Sequence, residues 1–362
     1  MNMQEMLSTR DAHEDLTTEV AGFLKGQGLG NQLFCYVTAR CIAIDNNVEF
    51  GTASQKNFAN NIHSNKGMYF MNVDLGREID KEKCSKIVEK EERLITPTSK
   101  HNMTLGVYVA GSDKRLLQKI EDNTLIYGNL QAEEYFIKHK DEIKEWLKVN
   151  KEYFRPQYSD DNLCILNMRG GEYVGNSDLY LKKKYWTRAM AYMKKINSNM
   201  RFLIITEDVE AANIMFPKIP AYHLGMGEDY AAIHVAKNLI VSNSSFAFFP
   251  IFTSDNVKTI IAPKFWAGYN YSDGYWASEQ NIYTGWKYLG RDGKLYTADE
   301  CRNELKRYKQ QRQRRYNRKQ GLIWKIEVNY YRMLNLLNRL CRKVKRTHFH
   351  IVQIWRKRLN YE

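Results

Sequence analysis

The chain has 362 residues, 43% hydrophobic, 27% charged and 13% aromatic, which excludes a disordered chain, a collagen-like repeat and a small disulfide scaffold. The length suits two domains or one large α/β unit. The net charge of +14 is unevenly placed: residues 302–362 hold 19 of the 55 Lys+Arg and 3 of the 41 Asp+Glu, so this tail is +16 and the rest −2. A high pI spread over the whole chain would point to nucleic acid; a near-neutral body with one basic tail does not.

The elements read in chain order as alternating strands and helices. Residues 1–19 are a polar segment without the apolar stretch of a signal peptide, and no run approaches the ~18 apolar residues of a spanning helix. A cytoplasmic setting is the expectation. A short apolar run at 20–24 meets the glycine-rich 25–30. Residues 32–44 then carry Leu33, Phe34, Val37, Cys41 and Ile44 at helical spacing. Strands are expected near 48–50, 68–73 and 125–128, and a helix over 133–148. A boundary is placed at 151–162. Beyond it come strands at 163–166, 202–205, 221–224, 239–241 and 259–261, with helices at 185–196, 207–215, 230–237 and 245–253. This alternation predicts a mainly parallel sheet covered on both faces. Ligands in such sheets lie at the carboxyl ends of the strands. The tail is basic over 304–319. Over 322–341 it then places Ile323, Ile326, Tyr330, Met333, Leu334, Leu337 and Leu340 on one helical face, with Arg and Lys interspersed. Such a face suits either an anionic membrane surface or packing on the body.

The six cysteines form no Cys-x-x-Cys pair, and Cys164 sits in an apolar run as a buried free thiol. Three motifs could carry chemistry. Gly26-Gln27-Gly28-Leu29-Gly30-Asn31-Gln32 lies between a strand and a helix. It is either a turn needing glycine at positive φ or a backbone cradle for an anion. It is neither a Walker A loop nor a dinucleotide fingerprint. Arg169, straight after a strand in the run 166–173, can aim its fork at a phosphate, with Glu172 orienting it or accepting a proton; an exposed ion pair is the plainer alternative. Asn243, Ser244 and Ser245 open a helix, where capping is the plain function and phosphate or ribose contact the other. There is no Asp-x-Asp, no Gly-x-Ser-x-Gly and no metal-ligand cluster.

Together and in order, these pieces resemble the α-1,2-fucosyltransferase family (glycosyltransferase family 11) over roughly residues 20–270. Residues 27–34, QGLGNQLF, match its Gly-Gly-Leu-Gly-Asn-Gln-Met-Phe. Gly128, Gln131, Tyr135 and Phe136 fit a Gly-x-x-Gln-x-x-x-Tyr-Phe element. Residues 167–173 align with His-x-Arg-Arg-Gly-Asp-Tyr, and 206–208 with its Ser-Asp-Asp strand end. Residues 243–249 align with Asn-Ser-Ser-Phe-Ser-Trp-Trp, and 261–266 with Ile-Ala-Pro-Lys-x-Trp. The departures are Asn167 for His, Gly170 for the second Arg, Glu172 for Asp, and Phe248 and Phe249 for the two Trp.

The resemblance implies a GT-B fold of two Rossmann-like domains facing a cleft, here 20–155 on the acceptor side and 156–300 binding the nucleotide-sugar, followed by the basic helical tail 301–362. It implies an inverting transfer of L-fucose from GDP-fucose to a galactoside hydroxyl of a glycan or lipid-linked oligosaccharide, with no essential metal and no cofactor beyond the donor. Arg169 and Glu172 are the expected catalytic pair. Gly28, Gly30, Asn31, Arg169, Asn243, Ser244 and Ser245 are the expected donor contacts. The altered Arg and His positions leave open another nucleotide-sugar or a non-catalytic glycan- or nucleotide-binding relative. The tail leaves open peripheral attachment to the inner membrane face, with no specific nucleic-acid partner.

Overall fold

The computed structural model describes residues 28–58, 70–89, 92–94, 107–109, 112–175, 179–265 and 281–317, with residues 333, 337, 340, 344 and 347. The expected strand at 20–24 and most of the tail lie outside them. The elements are helix α1 (Leu29–Asn46), strands β1 (Gly51–Thr52), β2 (Arg77–Glu78), β3 (Ser85–Val88), β4 (Glu92–Leu94), β5 (Val107–Val109) and β6 (Thr124–Tyr127), and helix α2 (Lys140–Trp146). Then follow β7 (Leu163–Asn167), α3 (Lys183–Ile196), β8 (Arg201–Ile205), α4 (Val209–Met215), β9 (Ala221–Tyr222), α5 (Met226–Val235) and β10 (Asn238–Val241). The described series ends with α6 (Phe248–Phe252), β11 (Thr259–Pro263), β12 (Lys287–Leu289), β13 (Leu295–Thr297) and α7 (Ala298–Asn317).

The second half is mixed α/β, built on one seven-stranded sheet in the order β13-β12-β11-β10-β7-β8-β9. All neighbours are parallel except β12 and β13. The chain runs outward from β7 to β9, then returns to lay β10 on the other side of β7. Neighbouring strands therefore leave β7 and β10 in opposite directions, and the crevice between their carboxyl ends is a topological switch point. Both strands are buried along their whole length, as the unbroken apolar runs at these positions demand of central parallel strands.

The sheet buries its two faces separately. Cys164, Leu166, Ile204, Ile240 and Ile261 pack against Trp186, Ala189 and Met193 of α3 and Ala212 of α4. Leu163, Ile165, Leu239 and Val241 pack against Ala232 and Ile233 of α5, and Ala298, Cys301 and Leu305 of α7. This is the period-two alternation of a pleated strand. Cys164 is a fully buried free thiol. The first turns of α7 thus belong to the body, and Arg302 adds an ion pair at 3.0 Å to Glu133; the body ends later than residue 300.

The first half contains two-stranded pairs only among its described residues: β1–β2 and β3–β6 parallel, β4–β5 antiparallel. Its centre is α1, buried on nearly every side. Phe34 of α1 lies 4.8 Å, centroid to centroid, from both Phe248 and Phe249, and Phe136 joins the same cluster. One hydrophobic core therefore contains side chains from both halves.

Several local expectations shift. Residues 48–50 are not a strand, and Met71 makes only an isolated bridge with Val149. The helix expected over 133–148 breaks into two 3-10 turns and α2. Tyr135 and Phe136 are both buried, and the Tyr135 hydroxyl donates to Glu89 Oε1 at 2.8 Å.

Candidate functional site

A cavity of about 730 Å³ opens at the switch point. Strand ends supply one wall: Asn167, Arg169 and Glu172 after β7, Thr206 and Glu207 after β8, His223 after β9, and residues 242–245 after β10. The start of α1, residues 28–31, supplies part of the other, with Gln131, Asn281 and Trp286. Every residue expected in the site lines this one cavity. The volume falls in the range of small-ligand pockets.

The glycine motif and the serine motif meet for a steric reason. A β-carbon on Gly30 would lie 2.4 Å from the Ser245 carbonyl carbon and 2.6 Å from the Phe246 nitrogen. At Gly30 glycine is required by close approach and not by positive φ; Gly26 lies outside the described residues. Gly28 has φ −65° and open space around its β position. It is the N-cap of an 18-residue helix that has no side-chain cap and no acidic residue in its first turn. The amide groups opening α1 therefore present partial positive charge to the cavity.

Arg169 is largely buried and carries two carboxylates: Nη2 lies 2.7 Å from Glu172 Oε1, and Nη1 2.9 Å from Glu207 Oε1. Its guanidinium also sits over the Tyr173 ring. Burial works against the charge, but Glu207 and Glu172 outweigh it and hold the guanidinium's pKa above its ordinary value. Glu172 is the looser partner, 57% exposed against 23% for Glu207.

The neighbouring loop explains one departure from the fucosyltransferase motif. A β-carbon on Gly170 would lie 2.3 Å from Asp208 Cβ. Asp208 accepts the Ala211 N–H through Oδ1, capping α4, and the Gly171 N–H through Oδ2. A carboxylate thus fills the space beside the position where the motif has its second arginine.

The serine motif divides its work. Ser244 Oγ accepts the Phe246 N–H, a capping role. Asn243 is buried, and its Nδ2 donates to the Leu179 carbonyl at 2.9 Å. Ser245 lines the cavity. Ser242, which opens the same motif but was not among the expected donor contacts, is 4% exposed, and its Oγ has no hydrogen-bond partner among the described residues. A buried hydroxyl in that state is suited to a ligand atom.

His223 and Asp229 were also missed. His223 Nδ1 lies 2.7 Å from Asp229 Oδ2, while Asp229 Oδ1 accepts the Leu224 N–H. The hydrogen bond that His223 donates to Asp229 raises the imidazole pKa despite partial burial. Burial pushes the Asp229 carboxyl up, opposed by its bonds to His223 and Leu224. The two residues sit six apart across a strand end and a helix start, a spacing with no sequence signature. Among the described residues, no group of three or more His, Cys, Asp or Glu could hold a metal ion. Phe248 and Phe249, where the motif has Trp, belong chiefly to the shared aromatic core. No protein-family model, curated protein or solved structure matches the chain.

Proposed function

We propose that this protein is an inverting glycosyltransferase that uses a nucleotide-sugar donor, with GDP-fucose and a galactoside acceptor as the substrates that its motifs favour. The observation that carries this reading is the position of Arg169. It lies at the carboxyl end of β7, beside the switch point and within the same cavity as the uncapped start of α1. In an inverting transfer the acceptor hydroxyl attacks as the nucleoside diphosphate leaves, and negative charge grows on the leaving phosphate. A fixed guanidinium and a helix N-terminus both stabilise that charge. The parallel sheet is read as the donor side of a GT-B arrangement.

The two carboxylates on Arg169 give the reading a sequence of events. A diphosphate competes with them for the guanidinium. Glu172, the more exposed, yields first and becomes the base that takes the acceptor proton; Glu207 stays and holds Arg169 in place. The test is a calorimetric titration with GDP, GDP-fucose, GDP-mannose and UDP-sugars. Selective binding of GDP and GDP-fucose, weakened at least about tenfold in Arg169→Ala, supports the assignment. Preference for another nucleotide changes the donor. No response to any nucleotide removes the transferase reading and favours a non-catalytic glycan-binding protein.

The tail supports a peripheral position on an anionic membrane. Met333, Leu337, Leu340 and Val344 lie in helical backbone and are each at least half exposed, at intervals of four, three and four. Arg332, Arg339, Arg342, Lys343, Lys345 and Arg346 accompany them in sequence. An apolar stripe with basic flanks matches an anionic lipid surface, whereas pairing two such helices brings like charges together. Among the described residues no helix is long and apolar enough to cross a membrane.

A further inference from the structure

The cavity is chemically two-sided. Its charged groups, Arg169, Glu172, Glu207, His223 and Asp229, come from the carboxyl ends of β7, β8 and β9 and the first turn of α5. Its amides and rings are assembled from three distant parts of the chain. Asn281 Nδ2 donates to Gln131 Oε1 at 3.0 Å, and Gln131 Nε2 donates to Asn31 Oδ1 at 3.0 Å. This relay fixes which way each amide faces. It uses the Asn31 Oδ1 acceptor and not the two N–H donors of its Nδ2, and Asn31 lines the cavity. Beside it, Trp286 is half-buried and held edge-on to Tyr283, with ring centroids 5.1 Å apart.

We propose that this amide and aromatic wall is the subsite for an uncharged sugar, and that it selects neutral over acidic acceptors. The inference rests on the reading that the cavity handles a sugar substrate, and adds where the acceptor sits and what excludes its rivals. Sugar hydroxyls both donate and accept, as do amides, so the two pair without stripping water from a charge. A rigid ring supplies the apolar surface that a pyranose face needs. An acidic sugar meets the opposite situation. Among the described residues lining the cavity, the wall offers its carboxylate no cation, and Glu172, Glu207 and Asp229 line the same space. Arg169 and His223, the basic side chains among those described residues, already hold carboxylates. With a nucleoside diphosphate held at Arg169 and the start of α1, bringing in a further negative charge is unfavourable.

The test is saturation-transfer NMR on the full chain, using lactose and N-acetyllactosamine against glucuronic acid and N-acetylneuraminic acid, with and without GDP. Two variants accompany it. Asn31→Asp keeps the oxygen that Gln131 uses, removes the donor end, and adds a carboxylate in the first turn of α1, where helices tolerate it. Gln131→Met keeps the length of the side chain and breaks the relay. The expected result is saturation of the neutral sugars only, with affinity about tenfold weaker in Asn31→Asp at an unchanged melting temperature. Equal saturation by the acidic sugars, or neutral-sugar binding unaffected in both variants, overturns the proposal. GDP binding without neutral-sugar binding also overturns it while the nucleotide reading stands. Neutral-sugar binding lost in Asn31→Asp, in a protein that binds no nucleotide, keeps the subsite and removes the transferase reading. No binding of either removes both.

Discussion

Gly30 at the start of α1 lies against the Ser245–Phe246 peptide so closely that a β-carbon would sit 2.4 Å from the Ser245 carbonyl carbon. This contact joins the first glycine motif to the loop after β10. It brings the helix N-terminus into the same cavity as Arg169. Gly30→Ala is therefore expected to cost about 1–3 kcal/mol, the range for forcing extra volume into a packed contact. Gly28→Ala is expected to stay within about 1 kcal/mol, because its β position is open and only N-cap preference is at stake. Denaturant unfolding of both variants checks the contrast. Equal effects would show that the close approach does not matter.

A second prediction concerns the motif arginine that is missing. Restoring it as Gly170→Arg places its β-carbon 2.3 Å from Asp208 Cβ, so the variant is expected to lose stability and gain no GDP affinity. Asp208→Gly relieves that contact and loses the α4 cap, at about 1 kcal/mol. The double variant should recover part of the loss, giving a measurable coupling in a double-mutant cycle. Additive losses would mean that the two positions do not touch.

The His223–Asp229 pair predicts a pH dependence of definite sign. The imidazole pKa is raised in the folded protein, mainly by its hydrogen bond to Asp229. Its stabilising contribution is thus fully present below the unfolded imidazole value of about 6.5, and is lost as pH rises through the folded value. A histidine NMR titration should place His223 above that value in the native chain and lower in Asp229→Asn. An unchanged midpoint in Asp229→Asn would remove the pair from the account.

The tail prediction is a flotation experiment. Native protein should float with vesicles containing phosphatidylglycerol and stay behind with phosphatidylcholine alone. The triple change Met333→Gln, Leu337→Gln and Leu340→Gln should abolish flotation. A truncated comparison belongs after residue 317, because Cys301 and Leu305 are buried in the sheet's core and Arg302 pairs with Glu133. Recovery that does not depend on lipid charge or on the three apolar residues would exclude the membrane role.

Much of the second half was legible in the sequence. Runs such as residues 163–166 and 239–241 can bury both faces only as central parallel strands, and β7 and β10 fall there. The spacing of Trp186, Ala189 and Met193 marks one face of α3 for the same kind of reason. The hairpin β12–β13 was also readable, from Asp292-Gly293 between short apolar stretches, and was missed. The 3-10 turns before α2 were not readable, because apolar spacing over 133–148 does not separate them from a continuous α-helix.

The sequence by itself determined the alternation of elements, the tail's charge and the candidate loops, because periodicity, composition and strand ends are local properties. Only the tertiary structure decided that Gly30 must be glycine for Ser245, and that Asp208 fills the space beside Gly170. It also decided that Glu207 shares Arg169, and that Asn31, Gln131 and Asn281 form one relay. Each of these depends on atoms brought within a few ångströms across tens to hundreds of residues. Such contacts are set by how the strands are ordered and the core is packed, which no local pattern encodes.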